Sequence, residues 1–130
     1  MRRRRNLASL EELASMALSL PGVAQRGNAF EVEVKGKRKG LCWVWLERIE
    51  PKKARVPNPR YWAIVTSSHS VREAWEQTEP ELFIHDPHYN GYPAVIVTLD
   101  RVPMDTLRDL LVEAWKSRVP KALLRAHPEF

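Results

Sequence analysis

Residues 86–99 read Asp86-Pro87-His88-Tyr89-Asn90-Gly91-Tyr92-Pro93-Ala94-Val95-Ile96-Val97-Thr98-Leu99. The first eight residues predict a rigid loop, because Pro87 and Pro93 restrict φ and Asn90-Gly91 readily adopts positive φ. We refer to residues 86–93 as the motif loop. The β-branched run over residues 94–99 predicts a buried strand. A shaped loop therefore leads directly into the core of the fold.

Three earlier segments have the composition of strands. Residues 30–34 alternate apolar and charged side chains, which is the pattern of a half-buried strand. Residues 41–46 are apolar on both alternating faces, as expected for a strand inside a sheet, and residues 61–66 predict a third strand. The Lys- and Gly-rich residues 35–40 predict a turn, so a basic hairpin joins the first two strands.

Helices are predicted at three places. Ser9-Leu10-Glu11-Glu12 is a capping box that starts a helix ending at Pro21-Gly22, and Ser70 with Glu73 predicts a short helix to about residue 77. Asp105 begins a final helix, which ends before Pro120. Its apolar side chains recur at helical spacing: Leu107, Leu110, Leu111, Ala114 and Trp115. This order predicts an α+β fold, an antiparallel sheet with helices packed on one face.

Length and composition favour one domain over residues 1–130. Within it we expect a basic arm at residues 1–8 and a tail at residues 121–130 to be loosely ordered. No apolar run approaches membrane-spanning length, and Glu11 and Glu12 interrupt what would be the apolar part of a signal peptide. The single cysteine, Cys42, cannot form an internal disulfide, which favours the cytoplasm.

Charge is distributed unevenly along the chain, whose formal net charge is +5. Residues 1–60 carry 14 Lys and Arg against 6 Asp and Glu, whereas residues 61–115 carry 3 against 9 and residues 116–130 carry 4 against 1. A basic first half beside an acidic second half favours a one-sided electrostatic footprint, provided that the fold keeps the two halves apart.

The strongest functional signal is a set of cations in two connecting segments. The hairpin turn is one, and residues 51–60, with three prolines, are predicted to be the other, an exposed loop that continues neither strand. Cations converging on one side would attract DNA phosphates without reading sequence, although charge runs of this kind also serve solubility alone. The candidate nucleic-acid-binding residues are Lys35, Lys37, Arg38, Lys39, Lys52, Lys53, Arg55 and Arg60.

The motif loop offers a second candidate surface. Its tyrosines can seal the edge of the core or contact a ligand, and the pattern leaves both roles open. The residues concerned are His88, Tyr89, Asn90, Gly91 and Tyr92. If they form a working surface, the protein is a protein- or small-ligand-binding module that uses the face from His85 to Tyr92, with an exposed apolar pocket.

The five tryptophans could stack on nucleic-acid bases, but strand and helix periodicity favours core positions for Trp43, Trp45 and Trp115. Catalysis and metal binding are disfavoured. Cys42 lies mid-strand, where side chains are usually buried, and Pro87 separates the possible ligands of His85-Asp86-Pro87-His88. We therefore predict no catalytic residue, no metal and no cofactor.

Several blocks together resemble the MmcQ/YjbR family of small bacterial proteins. The resemblance covers most of the chain, although Asn90 stands where an acidic residue is expected and the loop from Glu50 to Arg60 is longer than in compact members. It implies a fold similar to CyaY, the frataxin-like protein, and a proposed DNA-binding role. The blocks are Leu18-Ser19-Leu20-Pro21-Gly22-Val23, Ala29-Phe30-Glu31-Val32, Cys42-Trp43-Val44-Trp45, Pro87-His88-Tyr89-Asn90-Gly91-Tyr92-Pro93, Asp109-Leu110-Leu111-Val112-Glu113-Ala114-Trp115 and Arg118-Val119-Pro120-Lys121.

From residues and resemblance together, we predict a non-enzymatic bacterial DNA-binding protein that contacts phosphates through the basic hairpin and loop. A monomer is the favoured oligomeric state.

Overall fold

The computed structural model describes residues 7–130, which form an α+β fold with an antiparallel sheet, as predicted. The sheet has six strands. The helices are α1 (Leu10–Ser19), α2 (His69–Thr78), α3 (Met104–Arg118) and α4 (Lys121–Ala126). The strands are β1 (Val23–Arg26), β2 (Ala29–Val34), β3 (Lys37–Glu47), β4 (Val56–Val65), β5 (Phe83–Ile84) and β6 (Ala94–Thr98). They lie in the order β1-β2-β3-β4-β6-β5, so β3 and β4 are central.

The main core lies between one face of the sheet and the helices α1 and α3. Alternate residues of the central strands project into it, among them Val44, Trp62 and Val97. The predicted apolar stripe of α3 is confirmed, since every one of its five members is buried. Trp115 is fully buried and its indole N–H donates to the Pro21 carbonyl at 2.8 Å, which joins α3 to the end of α1.

The two predicted serine caps have different outcomes. Ser9 caps α1 as expected, since its hydroxyl accepts a hydrogen bond from the Glu12 amide at 3.4 Å. The cap of α2 is Ser68 instead of Ser70, and the Ser68 hydroxyl accepts from the Val71 amide at 3.1 Å. Serines stand at residues 67, 68 and 70, and only the extended backbone of Ser68 places a hydroxyl over the free amides.

The prediction that residues 51–60 continue neither strand is wrong for their second half, because β4 begins at Val56. Pro57 pairs with Leu46 of β3, whereas pairing of β4 with β6 starts only at Tyr61. Residues 56–60 therefore have a strand neighbour on one side alone. A proline is tolerated there because its missing N–H can face the unpaired side.

The β2–β3 hairpin turns at Lys35 and Gly36, as predicted, with φ values of 52° and 78°. Two successive positive φ angles are typical of the tight turn that matches strand twist. The expectation of positive φ at Asn90-Gly91 is wrong. Asn90 has a right-handed helical backbone with φ −57°, because it continues a 3₁₀ turn over Pro87–Tyr89.

Both ends of the described residues contact the rest of the fold. The arm expected at residues 1–8 lies mostly outside the described residues, but the Ala8 amide donates to the Val102 carbonyl at 2.9 Å. The tail, predicted to be loosely ordered, contains α4, and Leu124 and Phe130 pack against the core. The strand β1 is also absent from the sequence prediction, since only one of its four residues is partly buried and no alternation is visible.

Within residues 7–130, the helices are too short or too polar to cross a membrane.

A matched pair of leucines tests the core. Leu110→Ala should lower the free energy of unfolding by about 2–5 kcal/mol, because Leu110 is 2% exposed and its removal leaves a cavity. Leu18→Ala, at a position 46% exposed, should change it by less than about 1 kcal/mol. Urea denaturation measures both. Equal losses would show that the core does not lie where the structure places it.

Candidate functional site

The candidate cations do not converge, which corrects the expectation of one basic patch. In the register of the sheet, Val34 pairs with Lys37 at one end of β3, whereas Glu47 pairs with Val56 at the other. The two connections therefore lie at opposite ends of an 11-residue strand, roughly 30 Å apart at about 3.3 Å per residue. Consecutive antiparallel hairpins always turn at alternate ends of the sheet, so these segments cannot be neighbours.

Carboxylates also pair with three of the cations in residues 51–60, which follow the far end of β3 along the chain. Lys53 lies 3.2 Å from Glu50, and Arg60 lies 3.3 Å from Asp100, both on the exposed surface. Arg55 lies 3.3 Å from the buried Asp86. Of this group only Lys52 makes no ion pair among the described residues. The far end is therefore close to electrically balanced.

The hairpin tip is different. Lys35, Lys37, Arg38 and Lys39 are all exposed, and none of these four makes an ion pair within residues 7–130. They form a compact cationic tip at one end of the sheet.

Trp43 and Trp45 do not belong to the main core, contrary to the prediction. Both are half-buried on the opposite face of the sheet, where Trp43 stands in register with Ala63 of β4 and Ile96 of β6. The small Ala63 leaves room beside the indole. A Cβ at Gly40 would lie 3.3 Å from the Trp43 ring, so this glycine permits the ring to lie along β3. Trp115 alone of the three is a core residue as predicted.

The motif loop folds back over this second face and contacts both tryptophans. The Trp43 indole N–H donates to the Tyr89 hydroxyl at 3.0 Å, and the Tyr92 ring meets the Trp43 ring edge-on, 5.8 Å between centroids. The Trp45 indole N–H donates to the Asp86 carboxylate at 2.9 Å, and its ring packs edge-on against Tyr61. The loop thus spans β6 and β4 to reach β3.

Asp86 is the centre of this arrangement. It is 8% exposed, and its Oδ1 accepts from the His88 amide at 2.9 Å. Its Oδ2 accepts from Trp45 and, at 3.3 Å, from Arg55. Burial acts to raise the pKa of the Asp86 carboxyl, but the bonds from Trp45 and His88 and the charge of Arg55 together hold that pKa below its ordinary value.

Two arginines that are distant in sequence donate hydrogen bonds to the motif loop. Arg72 of α2 donates through Nη1 to the carbonyls of Tyr89 and Tyr92, each at 3.1 Å, and more weakly to Asn90 at 3.5 Å. Arg118 of α3 donates to the Tyr92 hydroxyl at 3.0 Å. Sequence reasoning missed both residues, since nothing in the local pattern around either one indicates a bond to a loop far along the chain.

A cleft of about 320 Å³ opens beside the motif loop, at the N-terminal end of β2, where β3 continues without β2 as a neighbour. The Val44 amide donates to the Asn28 carbonyl at 2.9 Å, and beyond that bond β3 pairs with β4 alone. Apolar side chains form most of the wall, with an arginine, a histidine and an asparagine at its polar positions. The lining residues are Asn28, Ala29, Trp43, Val44, Leu46, Arg55, His88 and Tyr89.

The cleft contains part of each predicted site. It includes Arg55 from the cation set and His88 and Tyr89 from the motif-loop set, whereas Asn90 and Gly91 are exposed outside it. Tyr92 is 41% exposed and lies beside the cleft, where its ring meets the Trp43 ring and its amide donates to the Tyr89 carbonyl. Asn28, Ala29 and Leu46 were not predicted, because only the end of β2 against β3 places them together.

The residues considered for chemistry have other environments. Cys42 is fully buried, and desolvation raises the pKa of its thiol far above the ordinary value, so the thiolate nucleophile is disfavoured. Across residues 7–130, His, Cys, Asp and Glu side chains form no group of three that could hold a metal ion.

Comparisons with known proteins place the fold but not an activity. No family model matches the chain. It is 28% identical over 126 residues to uncharacterized proteins of Mycobacterium tuberculosis and Mycobacterium bovis, a match that covers 92% of this chain and 95% of theirs. A crystal structure of the Deinococcus radiodurans protein DR2400, a DUF419 domain, superposes with a TM-score of 0.66 at 20% identity, covering 92% of this chain and 88% of that one. The similarity supports the α+β architecture.

The Asp86 network should make stability depend on acidity. Since the native pKa of Asp86 is lowered, the unfolded state binds more protons in acid, and the stabilisation is lost as pH falls from about 4 through the native value. Asp86→Asn should cost about 1–3 kcal/mol at neutral pH, and this cost should shrink below pH of about 4.

Urea denaturation between neutral pH and strong acid measures the effect. Asp100→Asn is the matched control, because Asp100 pairs with Arg60 on the surface and its loss should cost less than about 1 kcal/mol at any pH. A cost for Asp86→Asn that stays constant in acid would contradict the network.

Proposed function

We propose that this protein is a small-ligand-binding module whose working surface is the cleft between β3 and the motif loop. The observation that carries the proposal is the meeting of an apolar wall with a few convergent polar groups. Trp43, Ala29 and Leu46 supply the apolar area, while Arg55 and His88 supply charge and hydrogen-bonding capacity. Ligand sites usually combine these two elements, and 320 Å³ falls at the small end of their volume range, about 300–1,000 Å³.

The walls of the cleft are held before any ligand arrives. Trp43 is bonded to Tyr89, Trp45 to Asp86, and the loop backbone to Arg72. Side chains whose positions are already fixed lose little conformational entropy on binding. A preorganised wall of this kind therefore supports a working surface.

The distribution of charge favours this function over DNA binding through both basic segments. Phosphate binding by the whole cation set requires the hairpin turn and the 48–55 loop to face one duplex together, and they lie at opposite ends of β3. The ion pairs of Lys53, Arg55 and Arg60 weaken the second segment further.

Nuclear magnetic resonance of the tryptophan indole N–H groups tests the proposal. In a screen of small anionic, neutral and cationic aromatic compounds, some should shift the indole signals of Trp43 and Trp45 and leave that of the buried Trp115 unchanged. Ala29→Leu should block binding by filling the cleft, whereas Ala24→Leu, on the exposed strand β1, should not. No shift at Trp43 or Trp45 with any class would contradict the function.

A second candidate function is sequence-nonspecific DNA binding through the hairpin tip alone. The four cations of the tip favour it, because they are exposed and make no ion pair among the residues that the structure describes. Such binding is electrostatic, so log affinity should fall by about 0.9 per tenfold increase in salt for each phosphate neutralised.

A gel-shift titration on random duplex DNA at several salt concentrations measures this slope. Replacing Lys37, Arg38 and Lys39 by Gln should weaken binding. It should also reduce the slope of log affinity against log salt by the contribution of up to about three phosphates. The control replaces Lys52 and Lys53 at the other end of β3 and should leave both unchanged. If the affinity for DNA is the same in the tip variant, or does not change with salt concentration, DNA binding through the tip is contradicted.

We also infer that the chain is a non-enzymatic relative of the MmcQ/YjbR proteins, with a CyaY-like fold and a cytoplasmic location. The sequence blocks quoted above and the likeness to a DUF419 domain support the relationship. The single, buried cysteine is compatible with a reducing compartment, and its protonated thiol argues against cysteine catalysis.

A further inference from the structure

We propose that the ligand of the cleft is a small aromatic monocarboxylate, with its carboxylate held by Arg55 and its ring against Trp43. This inference rests on the proposed function and specifies its ligand class.

Arg55 lines the cleft and has N–H donors that are available to a ligand. Its Nη1 donates to the Leu46 carbonyl at 3.0 Å and to Asp86 at 3.3 Å, and among the described residues its Nε and Nη2 make no hydrogen bond. Both nitrogens are accessible to solvent. A guanidinium with two adjacent free N–H groups matches the two oxygens of a carboxylate.

Asp86 acts as a positioning residue. It holds Nη1 and so orients the rest of the guanidinium, while Leu46 fixes the same nitrogen from a second side. The Arg55 side chain is only 25% exposed, so its position is restricted before binding. Held donors in a partly desolvated site bind an anion more strongly than the exposed lysines of the hairpin tip.

The charge balance selects a monoanion. Asp86 already pairs with the positive charge of Arg55, and the other basic side chain that lines the cleft is a histidine, His88. A phosphate dianion would therefore meet too little positive charge, whereas one carboxylate can share the guanidinium. The apolar wall of Ala29, Trp43 and Leu46 requires the remainder of the ligand to be apolar and small, and the Trp43 ring favours an aromatic body.

The test compares matched probes by the same indole signals, using benzoate with benzamide and indole carboxylate with indole carboxamide. Each carboxylate should bind at least about tenfold more tightly than its neutral amide, which corresponds to loss of a charge-assisted hydrogen bond. Inorganic phosphate should not compete at equal concentration.

Variants of Arg55 show whether the guanidinium is responsible. Arg55→Gln should remove the preference for carboxylate over amide, and Arg55→Lys should retain only part of it, because an ammonium lacks the fork. Arg60→Gln, an arginine in a surface ion pair, is the control and should retain the full preference. The chemical-shift pattern of each variant shows directly whether it is folded.

The outcomes separate the two proposals. Equal binding of carboxylates and amides at Trp43, or a preference unaffected by Arg55→Gln, would overturn the ligand class and leave the cleft as a binding site. Tighter binding of phosphate would also overturn it in favour of a phosphorylated ligand. If no probe of any class shifts the cleft signals, both the ligand class and the binding function fail.

Discussion

The buried carboxylate of Asp86 is the constraint on which the second face of the sheet depends. An ionised group that is 8% exposed is costly unless each oxygen is hydrogen-bonded, and here Oδ1 and Oδ2 are filled by His88, Trp45 and Arg55. These three partners belong to the motif loop, to β3 and to the segment before β4. Satisfying one charge therefore ties three separate parts of the chain together and produces the cleft between them.

This fold uses the two faces of its sheet differently. One face buries an apolar core against α1 and α3, and stability comes mainly from that burial. The other face carries Trp43, Trp45 and Tyr89, which are half-buried, and both indole N–H groups are hydrogen-bonded, that of Trp43 to Tyr89 and that of Trp45 to Asp86. Aromatic groups with a polar tip suit such a boundary, because part of the ring is covered while the rest remains available for contact. A binding role on the second face is thus compatible with the stability supplied by the first.

Local pattern was sufficient for much of the architecture. The Ser9 cap, the stripe from Leu107 to Trp115 and the turn at Lys35-Gly36 each depend on residues within a few positions of one another, and each was predicted correctly. Errors arose where distant pairing overrode local preference. Pro57 was assigned to a loop, yet it lies in β4 because only β3 pairs with that part of the strand. The tail was expected to be loose, but Phe130 packs against Trp115.

Hydrophobic periodicity, caps and turn residues in the chain already imply an α+β domain and mark the motif loop as unusual, since these signals are short-range and physical in origin. These short-range signals do not predict that the two basic segments lie far apart. That separation follows from antiparallel pairing along the whole of β3. The same signals do not predict the cleft. Arg55 meets Asp86 across 31 positions and Trp43 meets Tyr89 across 46, and such contacts exist only after the sheet has assembled. A site built from long-range contacts is therefore decided by folding, whereas the elements that carry it are decided locally.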